Sequence, residues 1–147
     1  MIRAFGPADA PAVAALHVRS WHRAYADFVA PENMPTLAER EATWSGELAG
    51  PTWVWDQDGL VAGVVQVRDA ELGVLYVDPP AQGAGIGSAL HDHALDRIRA
   101  AGHDRATVWV FTANGHGRDF YAARGWRPDG TVGEWRGIPD LRLVREL

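Results

Sequence analysis

The residues of this chain whose types and spacing can do chemistry begin with Gln82-Gly83-Ala84-Gly85-Ile86-Gly87-Ser88, set between a strand-like run and a helical stretch. Glycines let the backbone turn with its amides pointing inward, and the first turn of a helix leaves further amides unpaired. Together they form a site for a phosphate or pyrophosphate. The competing reading is a tight strand-to-helix turn whose glycines serve close packing. A dinucleotide fingerprint, G-x-G-x-x-G, is not met: its last position falls on Ser88 counted from Gly83 and on Leu90 counted from Gly85. All 14 basic residues are arginine, which excludes a Walker loop and any Schiff-base lysine.

What remains is Q-x-x-G-x-G, and here the sequence resembles the GCN5-related N-acetyltransferase superfamily. That family carries R/Q-x-x-G-x-G/A at a strand-to-helix junction, where it binds the pyrophosphate of coenzyme A. Upstream, Leu75-Tyr76-Val77-Asp78-Pro79 matches the family's strand-then-proline approach to the loop. Downstream, Asn114, Phe120, Tyr121, Gly125 and Trp126 match N-x-x-A-x-x-F-Y-x-x-x-G-F/W. These blocks cover residues 71–126, and HVRSWHRAY near the start is similar to members with small-amine or peptide-amine acceptors. The resemblance implies one acetyltransferase domain over residues 1–147, moving an acetyl group from acetyl-CoA to a primary amine of a small molecule or peptide. It assigns the cofactor to Leu75, Tyr76, Val77, Gln82, Gly83, Ala84, Gly85, Ile86, Gly87, Ser88, Asn114, Gly117, Arg118 and Tyr121. Two positions depart from the pattern. Ala84 stands where a basic residue is frequent, leaving the phosphates to backbone amides, the helix dipole and Arg118; Gly117 stands where alanine is usual.

Amine acylation by a thioester has three needs. A lysine-like amine must lose its proton, at a cost of about 4.6 kcal/mol at pH 7. Glu71, at the mouth of the strand before the loop, is the candidate base, directly or through water; a solvated strand-end carboxylate is the other reading. Charge on the thioester oxygen needs a donor, which the resemblance places at a backbone amide near Val77, where two central strands splay. The leaving thiolate needs a proton, and Tyr121 is the candidate acid. Asn114 and Tyr121, seven apart, lie within about 20 degrees of one another on a helix, so both can face the cofactor arm. An N-cap for Asn114 and a core aromatic for Tyr121 are the alternatives. Trp21 and Tyr25 can stack on a cationic or flat acceptor or serve as core.

Strands and helices must position these groups. Ile2–Phe5 reads as a strand, Asp9 as the cap of a helix whose buried face holds Val13, Leu16 and Ser20, and Thr36 as the cap of a second helix with Leu37, Trp44 and Leu48 on one side. Thr52–Trp55 and Leu60–Arg68 read as a hairpin, with Asp56-Gln57-Asp58-Gly59 between them as its signal. Leu72–Val77 is a strand; Gly85–Ala101 a helix with the apolar stripe Ile86, Leu90, Ala94, Ile98; Ala106–Phe111 a strand; Asn114–Ala123 a helix; Pro139–Val144 a last strand. The order β-α-α-β-β-β-α-β-α-β describes an α/β (α+β) fold, a mixed and mostly antiparallel sheet with helices on both faces.

Composition bounds the rest. The 47% hydrophobic and 22% charged content is that of an ordinary globular domain. No run is long enough to span a bilayer, no secretion signal opens the chain, and the expected location is the cytoplasm. A net charge of −5 argues against nucleic acid or an acidic membrane as partner; a homodimer is left open. Zero cysteines exclude disulfides and thiolate chemistry. His91 and His93, two apart, point roughly 160 degrees apart on a helix and are read as surface, and His17, His22 and His116 lack ligand spacing, so no metal is expected. Two rivals stand beside the transferase: a non-catalytic acyl-CoA-binding module, and an acylating toxin aimed at aminoacyl-tRNA, which the acidic, lysine-free composition disfavours.

Overall fold

A computed structural model describes residues 1–147. Apolar, β-branched and aromatic residues run through most of the strand segments, and they build a sheet with both faces covered. The strands are β1 Ile2–Ala4, β2 Thr52–Gln57, β3 Leu60–Arg68, β4 Glu71–Val77, β5 Arg105–Phe111, β6 Arg127–Trp135 and β7 Ile138–Glu146. The helices are α1 Ala10–Tyr25, α2 Leu37–Ser45, α3 Ile86–Ala100 and α4 Gly115–Ala122. The sheet order is β1-β2-β3-β4-β5-β7-β6. Every neighbouring pair is antiparallel except β4 and β5, so the sheet is mixed and mostly antiparallel.

One apolar layer, including Val65, Leu72, Leu90, Ile98, Val108 and Leu143, packs α3 and α4 on one face. Val13, Leu16, Trp44, Val54, Val64 and Val74 pack α1 and α2 on the other. Ile86, Leu90, Ala94 and Ile98 of α3 are buried, as are Val13, Leu16 and Ser20 of α1. The β2–β3 hairpin turns at Asp58 (φ 53°) and Gly59 (φ 88°), the left-handed pair that a two-residue turn of this hand requires.

Three details differ from the sequence reading. Asp9 does not cap α1: its carboxylate accepts from the Gly6 amide at 2.8 Å and from both terminal nitrogens of Arg3, closing the turn before the helix. Thr36 does cap α2, accepting from Glu39 N at 3.1 Å, but Leu48 lies beyond the helix end and Leu37 is exposed. A seventh strand, β6, follows α4. It is almost wholly exposed and carries Pro128, Gly130 and Gly133, with a register shift between Pro128 and Val132. An edge strand of that composition has no alternating apolar pattern to announce it.

The feature that makes a site is a gap in the middle of the sheet. In the β3–β4 pairing Gln66 faces Val74 and Val67 faces Leu72, leaving Gly73 as an extra residue in β4. A bulge of this kind bends its strand. On its other edge β4 pairs with β5 only at Glu71 and Thr107. Beyond that point the two strands part.

Candidate active site

The gap opens into a cleft of about 650 Å³ that passes between the two faces of the sheet. On the α3 side it is lined by Gln82, Gly83, Gly85, Ile86, Gly87 and Ser88, and by Asn114, Gly117 and Tyr121. Gly83 (φ 86°) and Gly85 (φ 82°) both adopt the left-handed conformation, with nothing within 4 Å of where a Cβ would stand. Backbone shape, not tight packing, therefore demands these glycines. Gly85 also begins α3 without any side chain to cap it, which leaves the amides of the first turn for a ligand. By contrast α4 is capped: Asn114 Oδ1 accepts from Gly117 N at 3.0 Å. A Cβ on Gly117 would strike the Asn114 amide, so this cap explains the glycine found where alanine was expected.

The end of β4 is held from both sides. The Val77 carbonyl accepts from Ser20 Oγ at 3.2 Å and from Gln82 Nε2 at 3.1 Å. Next to it Arg19 grips Asp78 through two nitrogens, at 2.7 and 2.9 Å. The Tyr76 ring lies on the α1 face, where its hydroxyl accepts from Trp21 Nε1 at 2.9 Å and sits 3.4 Å from the Tyr25 hydroxyl. Tyr76 thus meets the α3 side only through its backbone.

Tyr121 is buried among His91, Phe120 and Trp126 and reaches the cleft. Burial raises its phenol well above the usual range, and no hydrogen bond contributes to that shift. Its proton is therefore present at any working pH and available for a hydrogen bond to a ligand. His91 is not on the surface, as its spacing suggested. It accepts from Trp126 Nε1 at 2.9 Å through Nε2 and lies 2.9 Å from Asp92 Oδ1 through Nδ1. Burial holds its pKa down, and the neutral ring supports the packing behind Tyr121. His17 does the same under α1, accepting from Trp44 Nε1 at 3.0 Å, with its pKa lowered by burial to about 3. No three acidic, histidine or cysteine side chains gather closely enough to hold a metal ion.

Several expected residues lie elsewhere. Glu71 starts β4, whereas the glycine loop follows its end six residues on, about 20 Å away at strand rise. It does not line the cleft and lies 3.9 Å from Arg68 Nη1. Arg118 turns outward, donating to the Thr112 carbonyl, and Ala84 is also outside the lining. The cation near the loop is Arg124 instead. It donates to Ser88 Oγ and to the Phe120 carbonyl, and its guanidinium lies 3.6 Å from the Phe120 ring centroid. Its place one helical turn after Tyr121 was the available signal.

A family model described as "Acetyltransferase (GNAT) family" matches residues 15–126. The chain belongs to the GNAT acetyltransferase family. Among curated relatives, it is 36% identical over 148 residues to a mycothiol acetyltransferase of Beutenbergia cavernae, across 94% of this chain and 48% of that protein. The chain thus spans about half the length of that relative. Among solved structures, a GCN5-related N-acetyltransferase from Rhodopseudomonas palustris superposes with TM-score 0.82 at 24% identity, covering 100% of this chain and 95% of that one. PaiA N-acetyltransferase from Thermoplasma acidophilum, solved with coenzyme A, superposes with TM-score 0.80 at 19% identity, covering 100% and 98%. At such identities the structures establish the GNAT fold.

On the α1 side this GNAT cleft is walled by Trp21, Tyr25, Phe111 and Trp135, whose rings meet edge to face with centroids 4.8 to 5.9 Å apart. Trp21 and Tyr25 line it and are at the same time buried in a cluster with Val29, Met34 and Phe111. Arg68, Trp109 and Asp140 join them from β3, β5 and β7. No sequence motif marks these three.

Proposed function

We propose that this protein transfers an acetyl group from acetyl-CoA to the primary amine of a small molecule. The observation that carries the reading is a single cleft with an uncapped glycine-rich helix start and an unbonded tyrosine hydroxyl on one face of the sheet, and an aromatic chamber on the other. The left-handed turn at Gly83 and Gly85, the first-turn amides of α3 and the Arg124 guanidinium fit a pyrophosphate in shape and charge. Asn114 spends its side-chain oxygen on the helix cap and keeps its amide donors for the pantetheine arm. Acetyl-CoA supplies the activated acetyl group as a thioester.

The chain's own residues then do three things. The β4–β5 gap lets the amine approach from the α1 side, opposite the cofactor. Ser20 and Gln82 fix the end of β4 through the Val77 carbonyl, orienting the backbone that the family resemblance names as the oxyanion donor. Tyr121 gives its hydrogen bond, or its proton, to the departing sulfur. The mycothiol acetyltransferase similarity favours a small-molecule acceptor over a protein one. No helix is long and apolar enough to cross a membrane, and the cytosol is the proposed site of action.

Thiol release from acetyl-CoA, measured with a panel of small amines, tests this reading. Release should depend on the amine. If the protein binds acetyl-CoA yet no amine in the panel raises thiol release above the amine-free rate, acetyl transfer to small amines is wrong.

A further inference from the structure

The α1-side chamber is aromatic on most of its wall and carries an acidic group that the reading above leaves idle. Asp140 begins the stretch of β7 opposite Phe111 on β5 and opposite Gly133 on β6. Register partners share a face of the sheet, so Asp140 faces the same side as Phe111 and lines the cleft. Its Oδ1 is shielded from solvent and has no hydrogen-bond partner in the protein. A shielded carboxylate oxygen without a donor is costly unless something else supplies one. Gly133 leaves that oxygen room, since a Cβ there would come within 2.9 Å of it.

Among the cations near this chamber, Arg40 lies 4.7 Å over the Trp21 ring with Nε and Nη2 unpaired, but outside the cleft lining, and the following are held elsewhere. Arg142, two residues along β7, is held by Asp129 at 2.6 Å. Arg136, at the β6–β7 turn, donates to the Asn33 carbonyl and lies over Trp135. Across the cleft Arg68 donates to Gln66. The neighbours on β5, Trp109 and Phe111, carry no charge. Burial first, and the charge of Glu134 after it, raise the Asp140 pKa above the usual carboxylate value, against the pull of its own backbone amide. A carboxylate so placed is a stronger base than one in water and lacks a cation.

We infer that Asp140 is the acceptor-binding carboxylate: it receives the ammonium of a primary amine with an aromatic or apolar body and takes its proton. This rests on the proposed use of the α1 side by the amine. The ammonium R–NH₃⁺ gives one proton to the Asp140 carboxylate and becomes R–NH₂. The nitrogen lone pair forms the bond to the acetyl carbon as the carbon–sulfur bond breaks. Sulfur gains a proton through the Tyr121 hydroxyl, which is replenished by the second proton leaving nitrogen, and Asp140 returns its own to solvent. The aromatic walls hold the body of the amine.

The test uses the protein saturated with coenzyme A and two probes of nearly one shape, 2-phenylethylamine and the neutral 2-phenylethanol. Wild type should bind the amine at least about tenfold more tightly than the alcohol, a charge-assisted hydrogen bond being of that size. Asp140→Asn should remove that preference and lower kcat/KM for the amine by a similar factor or more, with coenzyme A affinity unchanged. Equal binding of the two probes by wild type overturns the inference without any variant, and so does a preference that survives in Asp140→Asn. Amine binding that depends on Asp140 but produces no thiol from acetyl-CoA supports the assignment and removes acetyl transfer.

Discussion

On its α3 side the glycine loop presents backbone to the cleft, beside the Tyr121 and Asn114 side chains; on its α1 side the wall is made of side chains. The first is built by seven consecutive residues: two left-handed glycines aim the chain, and a helix left uncapped offers its amides. The second is gathered from distant segments, with Trp21 and Tyr25 from α1, Phe111 from β5, Trp135 from β6 and Asp140 from β7. A backbone site binds whatever carries phosphates, and it does so in one way. A side-chain chamber can change its ligand one residue at a time while the sheet stays the same. This division lets one fold keep a common donor and vary the acceptor.

The largest effect should come from Gly85→Glu. The φ of 82° at this position strains any side chain, and a carboxylate would stand where the phosphates are to sit. Acetyl-CoA affinity, measured by calorimetry, should fall by more than about 100-fold, because a like charge and a lost backbone conformation act together. Unchanged affinity would place the phosphates elsewhere and dissolve the contrast between the two sides.

Both sides lean on a buried neutral histidine, His91 behind Tyr121 and His17 beneath Tyr76. The His17 pKa is lowered from 6.5 to about 3 in the folded protein. The unfolded chain therefore binds a proton below 6.5 that the native state refuses. Stability is complete above that value and is lost as pH falls through it. Urea unfolding should show a loss of about 2 kcal/mol between pH 7 and pH 5 from this residue alone, before most carboxylates titrate. A flat profile over that range would mean that His17 is charged in the native state.

A smaller change is expected from Arg124→Ala. Arg124 is the one side-chain cation at Ser88, so its removal should weaken acetyl-CoA about tenfold at low salt, in keeping with one hydrogen bond to a charged group. The difference between variant and wild type should shrink as salt rises. If the variant equals wild type at low salt, the α3 side holds phosphate by backbone alone, and the contrast between the two sides becomes sharper.

Local signals made much of this molecule legible in its sequence. The glycine spacing, the hairpin signal at Asp56-Gln57-Asp58-Gly59, the Thr36 cap and the stripe from Ile86 to Ile98 each act within a few residues of chain, and each forms as read. What escaped depends on pairing between distant segments. The Gly73 bulge, and so the extent of the gap, arises in the register of β3 against β4. Glu71 looked close to the loop along the chain, but a strand carries its two ends to opposite ends of the sheet. Arg118 and Arg124 look alike in the sequence; Arg124, just past the end of α4, turns to Ser88, whereas Arg118 turns to the Thr112 carbonyl. β6 has no apolar face to reveal it. Asp140 gains its meaning only from Phe111, Gly133 and a cleft assembled from strands and helices spread along the whole chain.

The most direct measurement of the proposed chemistry is kcat for wild type and Tyr121→Phe on an amine that supports thiol release, with acetyl-CoA Kd determined in parallel. The substitution removes one hydroxyl and keeps the ring against Phe120 and Trp126. If that hydroxyl serves the departing sulfur, kcat should fall about 100-fold, near the lower end for general acid catalysis, with Kd unchanged. Equal turnover by the two proteins would remove Tyr121 from the mechanism and leave the α3 side as a place that binds the donor without acting on it.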